Sequence, residues 1–177
     1  MTRDRPLSGY PNGIDLTQWK RKLLMVRVLF VCLGNICRSP MAEAVFAEKV
    51  REAGLEDQIE TDSAGTGDWH VGSPAHSGTR RILAKNIIPY NGRARVITQQ
   101  DLDDFDYILT MDNDNRHNVQ LLGTGRAKIA AFLDYASNTQ LSEVPDPYYT
   151  GNFEEVYALV MDASEGLLAA IRKEKLL

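Results

Sequence analysis

The segment Cys32-Leu33-Gly34-Asn35-Ile36-Cys37-Arg38-Ser39-Pro40 sets a thiol and a guanidinium six positions apart. A five-residue loop between them can curl into a nest of main-chain N–H groups. Gly34 brings no Cβ to block an approaching ligand, and Asn35 tolerates a left-handed backbone. Ser39-Pro40 reads as a helix start, with Ser39 as N-cap and Pro40 at the first helical position. That helix end adds unpaired N–H donors and a positive dipole. Arg38 offers a planar fork able to hold two phosphate oxygens at once. The product is a cradle for a tetrahedral dianion with Cys32 at its base. Helix N-termini and nearby cations favour thiolate over thiol, and Ser39 is placed to donate a further hydrogen bond. Cys32 is therefore expected to attack phosphorus without a separate base. Cys and Arg at this spacing are alone a weak pattern. The apolar run before them, Gly-Asn between them and Ser-Pro after them make it specific against the plain alternative, a core cysteine beside a surface arginine.

Cleaving an aryl phosphate also requires a proton for the leaving oxygen. Asp146, in Val144-Pro145-Asp146-Pro147-Tyr148-Tyr149, is the candidate donor, in a loop restricted by two prolines. On spacing alone, an ordinary Asp-Pro turn explains this segment better. His70, His76 and His117 are scattered and show no metal-ligand spacing, so neither a metal nor a cofactor is expected.

The elements that must hold these residues follow from periodicity. Residues 26–32 are β-branched and almost wholly apolar, as in a buried parallel strand. A helix follows from Ser39 to Gly54, with Ala42, Val45, Phe46, Lys49, Val50 and Ala53 on one face. Strands are expected at 58–63, 106–111 and 128–132, and helices at 76–86 and 113–122. A last helix starts at Asn152, with Glu155 completing a capping-box-like pair. Its apolar stripe runs from Phe153 through Val156, Tyr157, Val160, Leu167 and Leu168 to Ile171, modestly weakened by Gly166. Strands alternating with helices argue for an α/β fold, a small parallel sheet covered on both faces. Such sheets bind ligands at the carboxyl ends of strands, where residues 32–39 fall.

Composition bounds the function. A chain of 177 residues fits one domain with a full core, and its net charge of −4 gives a nucleic-acid partner no electrostatic support. No apolar run approaches a membrane span of about 20 residues, and Met1–Lys22 has no apolar block typical of a secretory signal. Two cysteines, clustered, suit a reducing cytoplasm rather than a disulfide scaffold. Residues 1–24 carry five basic and two acidic side chains and read as an N-terminal extension, a solvated tail rather than a docking arm. Residues 25–177 form the expected domain, with Met25 as an alternative translation start.

Residues 26–47 and 143–150 resemble the low-molecular-weight protein tyrosine phosphatases. Val-Cys-Leu-Gly-Asn-Ile-Cys-Arg-Ser-Pro-Met-Ala-Glu-Ala is a highly specific match, and Asp62–Thr66 and Asp106–Asp112 also fit. The resemblance implies a three-layer, Rossmann-like fold with a four-stranded parallel sheet flanked by helices. It implies Cys32 as nucleophile, Arg38 as phosphate binder and Asp146 as general acid and later base. Asn35 would hold the loop's geometry, Ser39 would assist the thiolate, and Leu33, Trp69 and Tyr148 would wall the phenyl slot. Cys37 would capture an oxidised Cys32 as a reversible disulfide; a small apolar packing residue is the equal alternative. The implied partner is a phosphotyrosine protein, a bacterial tyrosine kinase among the candidates, and the implied state is a monomer or weak oligomer. One departure is Gly92, in Asn91-Gly92-Arg93-Ala94-Arg95, where the family often carries a histidine that supports the loop.

Three other functions fit the residues less well. Related arginine phosphatases tend to carry Thr where this chain has Ile36, which narrows and dries the pocket and favours tyrosine. An arsenate-reductase-like thiol enzyme needs cysteines beyond Cys37, and there are none. A non-catalytic phosphate-binding or redox module leaves the conjunction of Cys32, Arg38 and Asp146 without a purpose.

Overall fold

The computed structural model describes residues 25–177; the expected N-terminal extension lies outside the described residues. Four parallel strands form one sheet in the order β2-β1-β3-β4. They are β1 (Val26–Cys32), β2 (Ile59–Gly65), β3 (Tyr107–Thr110) and β4 (Lys128–Ala131). The helices are α1 (Arg38–Glu52), α2 (Ser77–Lys85), α3 (Asp101–Asp104), α4 (Asn113–Leu121), α5 (Pro147–Thr150) and α6 (Phe153–Lys175), with a 3₁₀ turn at Phe132–Tyr135.

Apart from Arg27, β1 is apolar because both of its faces are covered. Val28, Phe30 and Cys32 join the core beneath α1 and α6, while Leu29 and Val31 join a second core with Leu102 of α3 and Val119 of α4. Alternate side chains of a strand point to opposite faces. Phe30 packs edge-on against Phe46 and Phe132, ring centroids 5.6 and 5.0 Å apart. Full burial of one such ring stabilises the fold by about 1.5–3 kcal/mol. Gly166 has a structural reason: a Cβ there would lie 1.9 Å from the Tyr135 carbonyl oxygen. The 3₁₀ turn thus presses directly on α6, at the cost of a weaker helix interior.

After β2 the chain crosses to the other side of β1 to form β3. This reversal opens a crevice at the carboxyl ends of β1 and β3. Two expectations need correcting. Ser39 is not the N-cap of α1. That position is Cys37, and Ser39 sits inside the first turn with its hydroxyl turned toward Cys32. The pair at the start of α6 is not a capping box: Asn152 Nδ2 donates to the Glu155 carboxylate (3.2 Å), the Asn152 N–H goes to Thr150 Oγ1 (3.3 Å), and the Asn152 side chain accepts no helix N–H.

Candidate active site

The loop after β1 turns at Asn35, which adopts a left-handed backbone with φ of 53°. The turn carries the Asn35 N–H to the Cys32 sulfur (3.2 Å), and the Ser39 hydroxyl lies 3.0 Å from the same sulfur. Asn35 is itself pinned. Its amide nitrogen donates to Ser39 Oγ and Ser63 Oγ, both at 2.9 Å, and its amide oxygen accepts the Arg95 N–H at 2.9 Å. Asn35 and Ser39 lie buried beneath the loop. Gly34 leaves room for His70, whose Cδ2 would stand 2.9 Å from a Cβ at that position.

Arg38 is only 4% exposed yet keeps its charge. Nη1 donates to Asp112 Oδ2 (2.6 Å) and to the Val144 carbonyl (3.1 Å), and Nη2 donates to Asp146 Oδ2 (3.1 Å). Burial opposes the charge, but Cys32, Asp112 and Asp146 outweigh it and raise the guanidinium's pKa. Asp146 also accepts the Tyr148 N–H (3.1 Å) as N-cap of α5. The Asp-Pro turn and the carboxylate beside Arg38 are therefore one feature.

Cys32, Leu33, Gly34, Ile36, Cys37, Arg38, Trp69, Asp146 and Tyr148 line a single pocket of about 270 Å³, together with Tyr149 and with His70, which the sequence alone does not place there. The Trp69 indole folds over Gly67, where a Cβ would lie 1.7 Å from the ring. Tyr148 packs edge-on against His76 (5.9 Å), which stacks on Phe153 (5.1 Å). Cys37 is buried and its thiol is pushed up to about 12, chiefly by burial and then by Cys32 and Asp146. Among the described residues, no group of three or more His, Cys, Asp or Glu side chains is placed to hold a metal ion.

Two groups of residues escaped sequence reading as parts of the site. Asp112 divides its carboxylate, with Oδ2 on Arg38 and Oδ1 accepting the Asn115 N–H (2.7 Å) as N-cap of α4. The available signal was an Asp just past an apolar strand, at the end of the sheet where ligands gather. The other is the support beneath the loop: Glu43, Ser63, Tyr90 and Arg95. The Tyr90 hydroxyl, two residues before Gly92, donates to Glu43 Oε2 (2.9 Å).

Arg95 bridges Asp62 and Asp101 while its N–H holds Asn35. Burial pushes the Asp101 carboxyl up, but hydrogen bonds from Arg95 and Thr98 overcome this and hold it below the ordinary carboxylate range. A depressed folded pKa gives stability that is present above the unfolded value, about 4, and lost as pH falls through the lower folded one. We expect Asp101→Asn to lose about 1–3 kcal/mol at neutral pH. In urea melts the gap to the unsubstituted chain should close as pH falls below about 4.

Fold and pocket together define a class: an α/β protein with a tight loop joining the carboxyl end of a central strand to a helix N-terminus, and a thiol at the base of that loop. Comparison with known proteins narrows it. The profile of the low molecular weight phosphotyrosine protein phosphatases matches residues 27–176, and the chain belongs to that family. It is 52% identical over 154 residues to the low molecular weight protein-tyrosine-phosphatase YfkJ of Bacillus subtilis strain 168, covering 85% of this chain and 99% of that protein. The crystal structure of YfkJ superposes with a TM-score of 0.83, covering 85% of this chain and 97% of that one. The low molecular weight protein-tyrosine-phosphatase PtpA of Staphylococcus epidermidis is 45% identical over 151 residues, 85% of this chain and 96% of that protein. SP-PTP, the low molecular weight protein tyrosine phosphatase of Streptococcus pyogenes, is 41% identical with a TM-score of 0.75, over 86% of this chain and 97% of that one.

Proposed function

We propose that this pocket hydrolyses protein phosphotyrosine through a phosphocysteine intermediate. The observation that carries the reading is the meeting of the Cys32 sulfur, the Arg38 guanidinium and the Asp146 carboxyl in one pocket walled by Trp69 and Tyr148. The phosphate dianion is held by the loop N–H groups and by Arg38. The Cys32 thiolate attacks phosphorus, the bond to the aryl oxygen breaks, and Asp146 gives that oxygen its proton. The Asp146 carboxylate then takes a proton from water as the water attacks the phosphocysteine. Inorganic phosphate leaves and the thiolate is restored. Asn35 and Ser39 keep the loop shaped beneath the sulfur. Cys37 is the thiol that would condense with Cys32 once a peroxide had oxidised Cys32 to its sulfenic acid, releasing water.

Ile36 on the pocket wall favours an aryl over a guanidinium substrate, for want of a polar contact there. The partner is a phosphotyrosine protein, a bacterial tyrosine kinase being one that bears the right group. Steady-state rates on phosphotyrosine, phosphoarginine and phosphoserine peptides test the substrate class. Phosphotyrosine should be preferred, and a preference for phosphoarginine would reverse the assignment. Asp146→Asn tests the proton donor: it should slow phenyl phosphate by about 10²–10³-fold and p-nitrophenyl phosphate far less, since nitrophenolate needs no proton to leave. Equal losses on both would remove Asp146 from that role.

A further inference from the structure

The backbones after β1 and β2 stay in step beyond the sheet. The Thr66 N–H donates to the Cys32 carbonyl (2.9 Å) and the Gly67 N–H to the Leu33 carbonyl (2.8 Å). These bonds hang the following segment on the phosphate loop, and that segment brings Trp69 and His70 to the pocket wall. Both side chains settle where a glycine has no Cβ. His70 lies against Gly34, and the benzo ring of the Trp69 indole lies across Gly67. A Cβ on residue 67 would stand 1.7 Å from Cζ3, 2.2 Å from Cε3 and 2.6 Å from Cη2. Carbon atoms in contact keep about 3.5–4 Å apart, so a methyl group there would displace the ring by about 2 Å.

The backbone itself does not call for glycine at this position. Gly67 is not among the residues with positive φ, which include Gly54, Gly72, Gly123 and Gly151, so its φ is open to any L residue. What excludes a side chain is the indole. Trp69 in turn depends on this seat, because it is 71% exposed and little else holds it. The other aromatic wall, Tyr148, has His76 edge-on behind it and Phe153 stacked on His76. An unsupported indole would give up rotamer freedom each time it closed on a ligand ring, whereas one already laid on backbone has less to lose. Inorganic phosphate has no ring for the indole to meet.

We propose, on the reading of this pocket as an aryl-phosphate slot, that Gly67 is a positioning residue for aryl recognition. Its bare backbone presets the Trp69 indole as a wall, which tightens binding of ring-bearing phosphates and leaves the hold on the phosphate group itself unchanged.

The test compares two ligands that are not turned over, phenylphosphonate and inorganic phosphate, by calorimetry on the full chain. Gly67→Ala should weaken phenylphosphonate about threefold to tenfold and leave inorganic phosphate within about twofold. kcat/KM for phenyl phosphate should fall in step with phenylphosphonate affinity. Trp69→Ala should weaken phenylphosphonate at least as much. With the indole gone the seat has nothing to hold, so adding Gly67→Ala to Trp69→Ala should cause no further loss. Unchanged phenylphosphonate affinity in Gly67→Ala overturns the proposal, as does a further loss in the double variant. An equal loss for both ligands overturns it too, since a distorted Leu33 carbonyl or a damaged fold would act on both. Neither affinity depends on turnover: a chain that failed to hydrolyse phosphotyrosine would refute the function above and leave both affinities readable.

Discussion

Replacing Cys32 by serine should lower hydrolysis of p-nitrophenyl phosphate by at least about 10⁴-fold while inorganic phosphate still binds. The side-chain oxygen would stand where the sulfur stands, in reach of the Asn35 N–H and the Ser39 hydroxyl. Those neighbours stabilise an anion already formed and cannot remove a proton. A thiol ionises readily in such surroundings, whereas an alcohol needs a base beside it. The phosphate contacts come from the loop and Arg38, so binding measured by calorimetry should survive within about tenfold. Activity retained within tenfold would sink the phosphocysteine route.

Arg38→Lys should cost about 10²–10⁴-fold in kcat/KM, mostly in kcat. A lysine keeps the charge and loses the fork. Arg38 uses two nitrogens on Asp112, Val144 and Asp146 from a nearly buried position, and a single ammonium cannot reproduce that spread. One buried acceptor is left unpaired, which lowers stability by about 1–3 kcal/mol. The catalytic loss is separable from this, because the fork is needed most when the phosphoryl oxygens spread into a plane. Vanadate, which adopts that trigonal-bipyramidal shape, should therefore lose more affinity than phosphate. Equal losses for the two anions would make Arg38 a ground-state binder only.

The same two residues show how much could be read from the chain alone. Cys32 and Arg38 lie at opposite ends of one loop, so local rules were enough: the strand run, the left-handed Asn35 and the Ser-Pro pair. Even there Ser39 deceives, because a serine at a helix start looks like a cap whether its hydroxyl serves the helix or a sulfur seven residues earlier in the chain. The four strands and the longer helices carry full periods and were visible. α3, α5 and the 3₁₀ turn, at four residues each, are too short to show one. Asp146, Trp69 and Tyr148 were placed by resemblance, since nothing in their spacing tells which loop folds over which. The Tyr90 hydroxyl meets Glu43 from 47 residues away, a distance at which side-chain partners leave no local trace.

Asp112 has a consequence that reaches past the chemistry. One of its oxygens closes the first turn of α4 and the other holds the guanidinium. An anion that draws Arg38 toward the sulfur changes how strongly that carboxylate is pulled from the pocket side, and the Asn115 amide shares the same carboxylate. Deuterium uptake at the Asn115 N–H is therefore expected to change when inorganic phosphate fills the pocket, which would make this helix entrance a gauge of occupancy.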